Sequence, residues 1–243
     1  MPKTSASKNT KKKETKNTIV QNSKVSFPIL TKKKYIQAEE LEPNQIYVIS
    51  NFFNDKECDA LIKYFEINLP PLPRPAGKPK KGEAFRNNDR QSIQNTSIAS
   101  VLWENLEDIV RASPITADHN INGGTTIVAS SKVPRGLNSN IRVYRYREGH
   151  SFGAHYDDSV QDKITGLWTD WTLLIYLNED MEGGETVFYR LNKHQNCKSE
   201  PIVVRPKKGM ALLHRHGTHC LLHEAKEVTK GNKWVLRSDL LMG

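Results

Sequence analysis

Two side chains that can hold a metal ion stand close together in Phe152-Gly153-Ala154-His155-Tyr156-Asp157-Asp158. His155 and Asp157 are two apart in a strand-like run, and the period of two in a β-strand turns both side chains to one face. An imidazole and a carboxylate projected together supply two of the three ligands of a facial triad, which leaves positions on iron(II) open for a co-substrate and O2. A lone His-x-Asp is common by chance, so the reading needs a third ligand and an anchor. His223 ends another strand candidate, and Lys233, ten residues later, opens the last one. If His223 binds metal, a cation one strand away can pair with the far carboxylate of a dicarboxylate whose near end chelates the ion. Such a charge-assisted contact in a partly dry pocket is short and strong.

Competing readings exist for several of these residues. Arg237 lies on the same strand face as Lys233, about 13 Å further along, and is the rival anchor. The cluster His214-Arg215-His216-Gly217-Thr218-His219-Cys220 can be read as a zinc site. It lacks a paired Cys-x-x-Cys, so its histidines fit supporting or surface roles better. His219 is a weaker distal ligand than His223, which alone has the cation ten residues on. His119, His150 and His194 read as loop histidines, Asp158 as exposed or adjacent to the ligands, and Gly183-Gly184 as a hairpin turn.

The elements that must position these groups change character along the chain. Asn54 is a candidate N-cap for a helix carrying Cys58, Leu61, Ile62 and Phe65 at helical spacing. Pro70 to Pro75 end it in an exposed Pro/Gly/Lys loop. A second amphipathic helix spans about 97–111. After Pro134, short runs of Val, Ile, Leu, Tyr, Trp and Phe are broken by turn signals. Strands are expected at 140–147, 152–156, 171–177, 185–190, 201–205, 210–215, 219–223 and 233–241. Many short strands argue for a sandwich or barrel. Helices first and strands afterwards make the chain α+β, mainly β, with the helices buttressing a sheet.

The net charge of +9 is concentrated at one end. Residues 1–34 hold ten lysines and one acid, 10 − 1 = +9, so the remaining chain is formally neutral. This Lys-rich segment is expected to be a disordered tail, because it cannot bury enough apolar area to offset ordering entropy. Lys11–Lys13 and Lys32–Lys34 would suit nuclear import or a contact with nucleic acid. The start has no apolar signal region and no stretch is long enough to span a membrane, while Cys58, Cys197 and Cys220 build no disulfide framework. A cytoplasmic or nuclear location is expected.

Across roughly a hundred residues from Asn140 to Leu241, the chain resembles the prolyl 4-hydroxylase branch of the 2-oxoglutarate/iron(II) dioxygenases. The resemblance rests on Arg145-Tyr146-Arg147-Glu148-Gly149 before His155-x-Asp157, then Thr172 to Leu177, then Gly183-Gly184-Glu185-Thr186-x-Phe188. It continues through Pro206 to Leu213, and ends on His223 with Lys233-Trp234-Val235. It implies a double-stranded β-helix, or jelly roll, over 135–243, supported by residues 35–134. It also implies that His155, Asp157 and His223 bind Fe(II), that Lys233 takes the far carboxylate of 2-oxoglutarate, and that Tyr146 and Thr172 line the co-substrate pocket. The implied reaction consumes O2 and 2-oxoglutarate and hydroxylates an unactivated C–H bond; ascorbate is admitted as a further reductant.

The substrate divides the readings. A proline in a protein or peptide follows from the family branch, with contacts sought in the loop near 70–82 and at Arg86 to Arg90. The basic tail motivates a nucleic-acid or small-molecule substrate, but the neutral body argues against a phosphate-binding groove. A non-catalytic iron-binding jelly roll is the third reading.

Overall fold

Alternate residues of the C-terminal strands serve two different interiors, and this explains how a site can sit inside the fold. The computed structural model describes residues 25–68, 82–113, 132–190 and 200–243. Strands β1 (Glu39–Glu42) and β2 (Ile46–Ile49) precede helix α1 (Asp55–Asn68), and β3 (Asp89–Gln94) precedes α2 (Thr96–Ala112). Then follow β4 (Pro134–Leu137), β5 (Asn140–Arg147), β6 (Phe152–His155), β7 (Trp168–Tyr176), β8 (Glu182–Gly183) and β9 (Thr186–Tyr189). The chain closes with β10 (Ile202–Val204), β11 (Ala211–Arg215), β12 (Leu222–Ala225), β13 (Val228–Lys230) and β14 (Asn232–Met242).

The larger sheet runs β1-β2-β11-β7-β14-β5-β3, with β4 also pairing β14. The smaller runs β10-β9-β12-β6, and β13 pairs β8. Every pairing is antiparallel, as a jelly roll requires. On the outer face of the large sheet, Val143, Leu173, Ile175, Leu213 and Leu236 pack against Leu61, Phe65, Leu102 and Leu106 of the helices. On the inner face, Tyr144, Tyr146, Tyr176, Leu212 and Val235 meet Phe188 and Ala225 of the small sheet.

Local chemistry fixes both helix starts. The Asn54 side chain accepts from Glu57 N at 2.9 Å while Glu57 Oε2 accepts from Asn54 N at 2.8 Å, a reciprocal capping box. Asn95 caps α2 by accepting from Ile98 N at 2.9 Å.

Two expectations need correction. Residues 25–34 have no helix or strand, yet they are not a detached tail. Phe27 packs edge-on against Tyr64 at 5.1 Å between centroids, Leu30 joins the outer core, and Thr31 N donates to Glu57 Oε1 at 2.7 Å. Lys32 and Lys33 are paired with Asp108 and Glu57, so they are not a free basic patch. The support region combines helix and strand: β1, β2 and β3 belong to the large sheet, and β4 begins at Pro134. Finally, Gly217–His219 form a 3-10 turn, and the strand that carries His223 starts at Leu222. Residues 1–24, the loop 70–81, His119, His194 and Cys197 lie outside the described residues.

Candidate active site

The third ligand candidate comes from the strand next to the first. β12 pairs β6, and His223 lies directly opposite His155. Asp157 follows just past the end of β6, two residues on, with the parity the sequence suggested. Ligand atoms of His155, Asp157 and His223 lie within 4.8 Å of one another. His155 Nε2 is 3.8 Å from Asp157 Oδ1, and His223 Nε2 is 3.7 Å from Asp157 Oδ2.

Backbone carbonyls set the histidine tautomers. His155 Nδ1 donates to Gly153 O at 2.8 Å and His223 Nδ1 to Leu221 O at 2.9 Å. Each Nε2 therefore keeps its lone pair, which is the form that binds metal. Burial, aided by His223 nearby, pushes His155 down to about 4, and burial also lowers His223, so both rings are neutral at pH 7. Phe152 stacks on His155 at 3.7 Å between centroids and holds its ring plane.

Asp157 is held from behind. Burial alone would raise its pKa, but Arg237 and the surrounding histidines keep the carboxyl well below the usual range. Arg237 Nη1 donates to Oδ1 at 2.9 Å and Thr172 Oγ1 to Oδ2 at 3.0 Å. With the Thr172 proton directed at Asp157, His216 Nδ1 must donate to Thr172 Oγ1 (3.0 Å), and His216 Nε2 then accepts from Thr169 Oγ1 at 2.9 Å. This chain ties the Asp157 carboxylate to β7 and to the residue that follows β11.

Lys233 occupies the opposite situation. It is 2 % exposed, and its Nζ donates to Gly184 O at 2.6 Å. The aromatic faces of Tyr146 and Tyr176 lie 5.0 and 5.3 Å from it. Among the described residues no carboxylate pairs with it, and burial pushes its pKa down to about 7 despite the opposing charge of Glu185. Gly183-Gly184 does more than turn the chain. A Cβ on Gly184 would sit 3.2 Å from Lys233 Cδ, and one on Gly183 would sit 2.3 Å from Glu227 O, both at positive φ.

One cavity joins these parts, lined by His155, Asp157, His223, Tyr146, Lys233 and Arg237 among others. The two anchor candidates are thus separated by their partners: Arg237 is engaged with Asp157 and Asp239, while Lys233 has no ion pair among the described residues. Tyr146 stands on the cavity wall as the resemblance implied. Thr172 does not; it is fully buried behind Asp157 and orients that carboxylate.

His214 and His216, for which the sequence offered supporting or surface roles, are both buried, His214 on the inner face of β11 and His216 just past its end; His214 Nε2 is 3.7 Å from Asp157 Oδ2 and has no hydrogen-bond partner among the described residues. The alternation of Leu212, His214 and His216 was the available signal. Cys220 accepts from Asp157 N at 3.3 Å. His219 and Asp158 are exposed, whereas His150 is buried in the turn between β5 and β6.

Comparison with known proteins gives the same class. Residues 141–238 match the family model of the 2OG-Fe(II) oxygenase superfamily. The chain is 27 % identical over 211 residues to probable prolyl 4-hydroxylase 9 of Arabidopsis thaliana, covering 79 % of this chain and 67 % of that protein. It is 27 % identical to prolyl 4-hydroxylase 2 of the same plant, covering 77 % of this chain and 64 % of that one. About a third of each curated relative therefore has no counterpart here. In fold it is similar to the viral collagen prolyl hydroxylase of Paramecium Bursaria Chlorella virus-1 in its 2-oxoglutarate complex (TM-score 0.53, 20 % identity, 81 % and 96 % of the two chains). It is also similar to a Trichoplax adhaerens prolyl hydroxylase in complex with a hypoxia inducible factor peptide fragment (TM-score 0.54, 15 % identity, 82 % and 84 % covered). Over residues 141–238 the chain is thus similar to the 2OG-Fe(II) oxygenase superfamily, and along most of its length to proteins described as prolyl 4-hydroxylases.

Proposed function

We propose that this protein hydroxylates prolyl residues of a protein or peptide, with Fe(II) held by His155, Asp157 and His223 and 2-oxoglutarate anchored by Lys233. The observation that carries this reading is the buried Lys233 ammonium in the cavity of the triad. A cation in that setting is costly without a counter-charge, and the far carboxylate of a dicarboxylate supplies one. Two neutral imidazoles and one carboxylate on one side of a cavity fit Fe(II) with open positions.

Iron bound there would couple decarboxylation of 2-oxoglutarate to oxidation of a substrate C–H bond. The chain's own work is positional. Gly153 O and Leu221 O keep both Nε2 atoms available, and Arg237 with Thr172 fixes the Asp157 carboxylate. Tyr146 and Tyr176 dry the surroundings of Lys233, which strengthens its pairing with an anion. We place the enzyme in the cytoplasm or nucleus, where the free thiols of Cys58 and Cys220 stay reduced; imaging of a tagged full chain tests this.

The activity test supplies Fe(II), ascorbate, 2-oxoglutarate and proline-containing peptides. Succinate release together with peptide products heavier by one oxygen atom is the expected result. Turnover of 2-oxoglutarate with no hydroxyproline in any peptide would defeat the prolyl assignment, though not the cofactor assignment.

A further inference from the structure

Against two residues of the cavity wall, Tyr144 and Phe152, stand arginines that iron and 2-oxoglutarate do not use. Directly opposed residues of an antiparallel sheet share a face. The inner face therefore carries Arg237 beside Arg142 in one row, and Val235, Tyr144 and Arg90 in the next. Arg237 is bound to Asp157 and Asp239, and Arg142 Nη2 pairs with Asp239 at 3.1 Å. Those two carboxylates are therefore occupied.

Among the described residues Arg90 is left without a carboxylate partner. Its Nε is buried with no hydrogen-bond partner, and the charged neighbours that act on it are Arg86, Arg142 and Arg237. Arg86 approaches from the segment that flanks β6, bridged to Phe152. Its guanidinium lies over the Phe152 ring at 5.2 Å, and that ring stacks on His155. Among the described residues no carboxylate pairs with Arg86 or Arg90. A guanidinium keeps its charge at any ordinary pH, so its partial desolvation is costly until an anion arrives.

We infer that Arg86 and Arg90 form a subsite for a carboxylate side chain of the substrate, which makes the preferred target a proline with Asp or Glu nearby in the peptide. This deepens the prolyl hydroxylase reading and rests on it. A peptide suits the subsite better than a nucleic acid. Outside residues 1–34 the chain is formally neutral, 9 − 9 = 0, and two guanidiniums are too few for the extended phosphate contacts of a nucleic-acid groove. A single acidic side chain needs only a local fork of donors, which arginine provides.

The test uses the full-length, iron-loaded protein with 2-oxoglutarate and proline-centred peptides. Members of each pair differ only by Asp or Glu against Asn or Gln at one to four positions on either side of the proline. The acidic peptide should win in kcat/KM by roughly ten- to a hundred-fold, mostly through KM, as expected of charge-assisted hydrogen bonds. The ratio should fall toward one in Arg90→Gln and Arg86→Gln, be partly kept in Arg90→Lys, and invert in Arg90→Glu when lysine-flanked peptides are offered. Equal kcat/KM for acidic and amide peptides, or an unchanged ratio in both glutamine variants, would overturn the subsite while leaving prolyl hydroxylation in place. Hydroxylation of no peptide, or turnover stimulated by an oligonucleotide alone, would sink both.

Discussion

The two faces of the large sheet are made by the same strands and do opposite things. Along β14, Trp234, Leu236, Ser238 and Leu240 turn one way, and Lys233, Val235, Arg237 and Asp239 the other. The outer set joins an apolar core against two helices, where area removed from water is the stabilising force. The inner set places a buried lysine, an arginine and an aspartate within one small-sheet-covered interior. Buried charges contribute little to stability and can subtract from it. The outer face therefore has to hold the fold while the inner face is free to be reactive, and substitutions on the two faces should separate cleanly.

The sharpest break comes from the ligands. His155→Ala or Asp157→Ala should reduce 2-oxoglutarate decarboxylation to background with the circular-dichroism spectrum preserved; retained turnover in either would defeat the ligand assignment. Next, Leu236→Ala on the outer face should cost about 2–5 kcal/mol in denaturant unfolding. Its KM for 2-oxoglutarate should stay near wild type. Lys233→Met should raise that KM roughly a hundred-fold, the loss of one strong charged contact. The same variant should melt at a higher temperature than the metal-free wild type, because a buried unpaired charge has gone; a lower melting temperature would contradict the contrast drawn here. Arg237→Gln should weaken Fe(II) binding by about ten- to a hundred-fold, through the Asp157 carboxylate it orients.

The smallest effect is a pH dependence. Lys233 titrates near 7 in the folded protein, far below its unfolded value. Between those two values the unfolded chain holds the proton and the folded chain does not, so stability without 2-oxoglutarate should rise as pH climbs above 7. Binding of the dicarboxylate needs the charged lysine, so its Kd should increase by about tenfold per pH unit above 7. Isothermal titration with Mn(II) in place of iron checks the slope, which should vanish in Lys233→Met.

The inner-face chemistry was more legible in the sequence than the N-terminal packing. His155, Asp157, His223 and Lys233 could be read because strand parity and a short, local spacing carry the information. The strand 140–147 was anticipated to the residue, for it is a continuous β-prone run. β3 was not, because Asp89 to Gln94 is polar apart from Ile93 and becomes a strand by pairing with β5 across a long stretch of chain. The position of Thr172 was only half legible for a related reason. Its parity gives the inner face, but whether it meets the cavity or the back of Asp157 depends on Arg237 of β14 and His216 just past β11. The docking of 25–34 was hidden by composition: lysines dominate the segment, while Phe27 and Leu30 determine where it goes.

That docking has a geometrical consequence. Phe27, Lys32 and Lys33 moor the chain to α1 and α2, on the side of the large sheet away from the cavity. Residues 25–34 therefore lie behind the helical layer, at the rear of the large sheet, and take no part in walling the cavity.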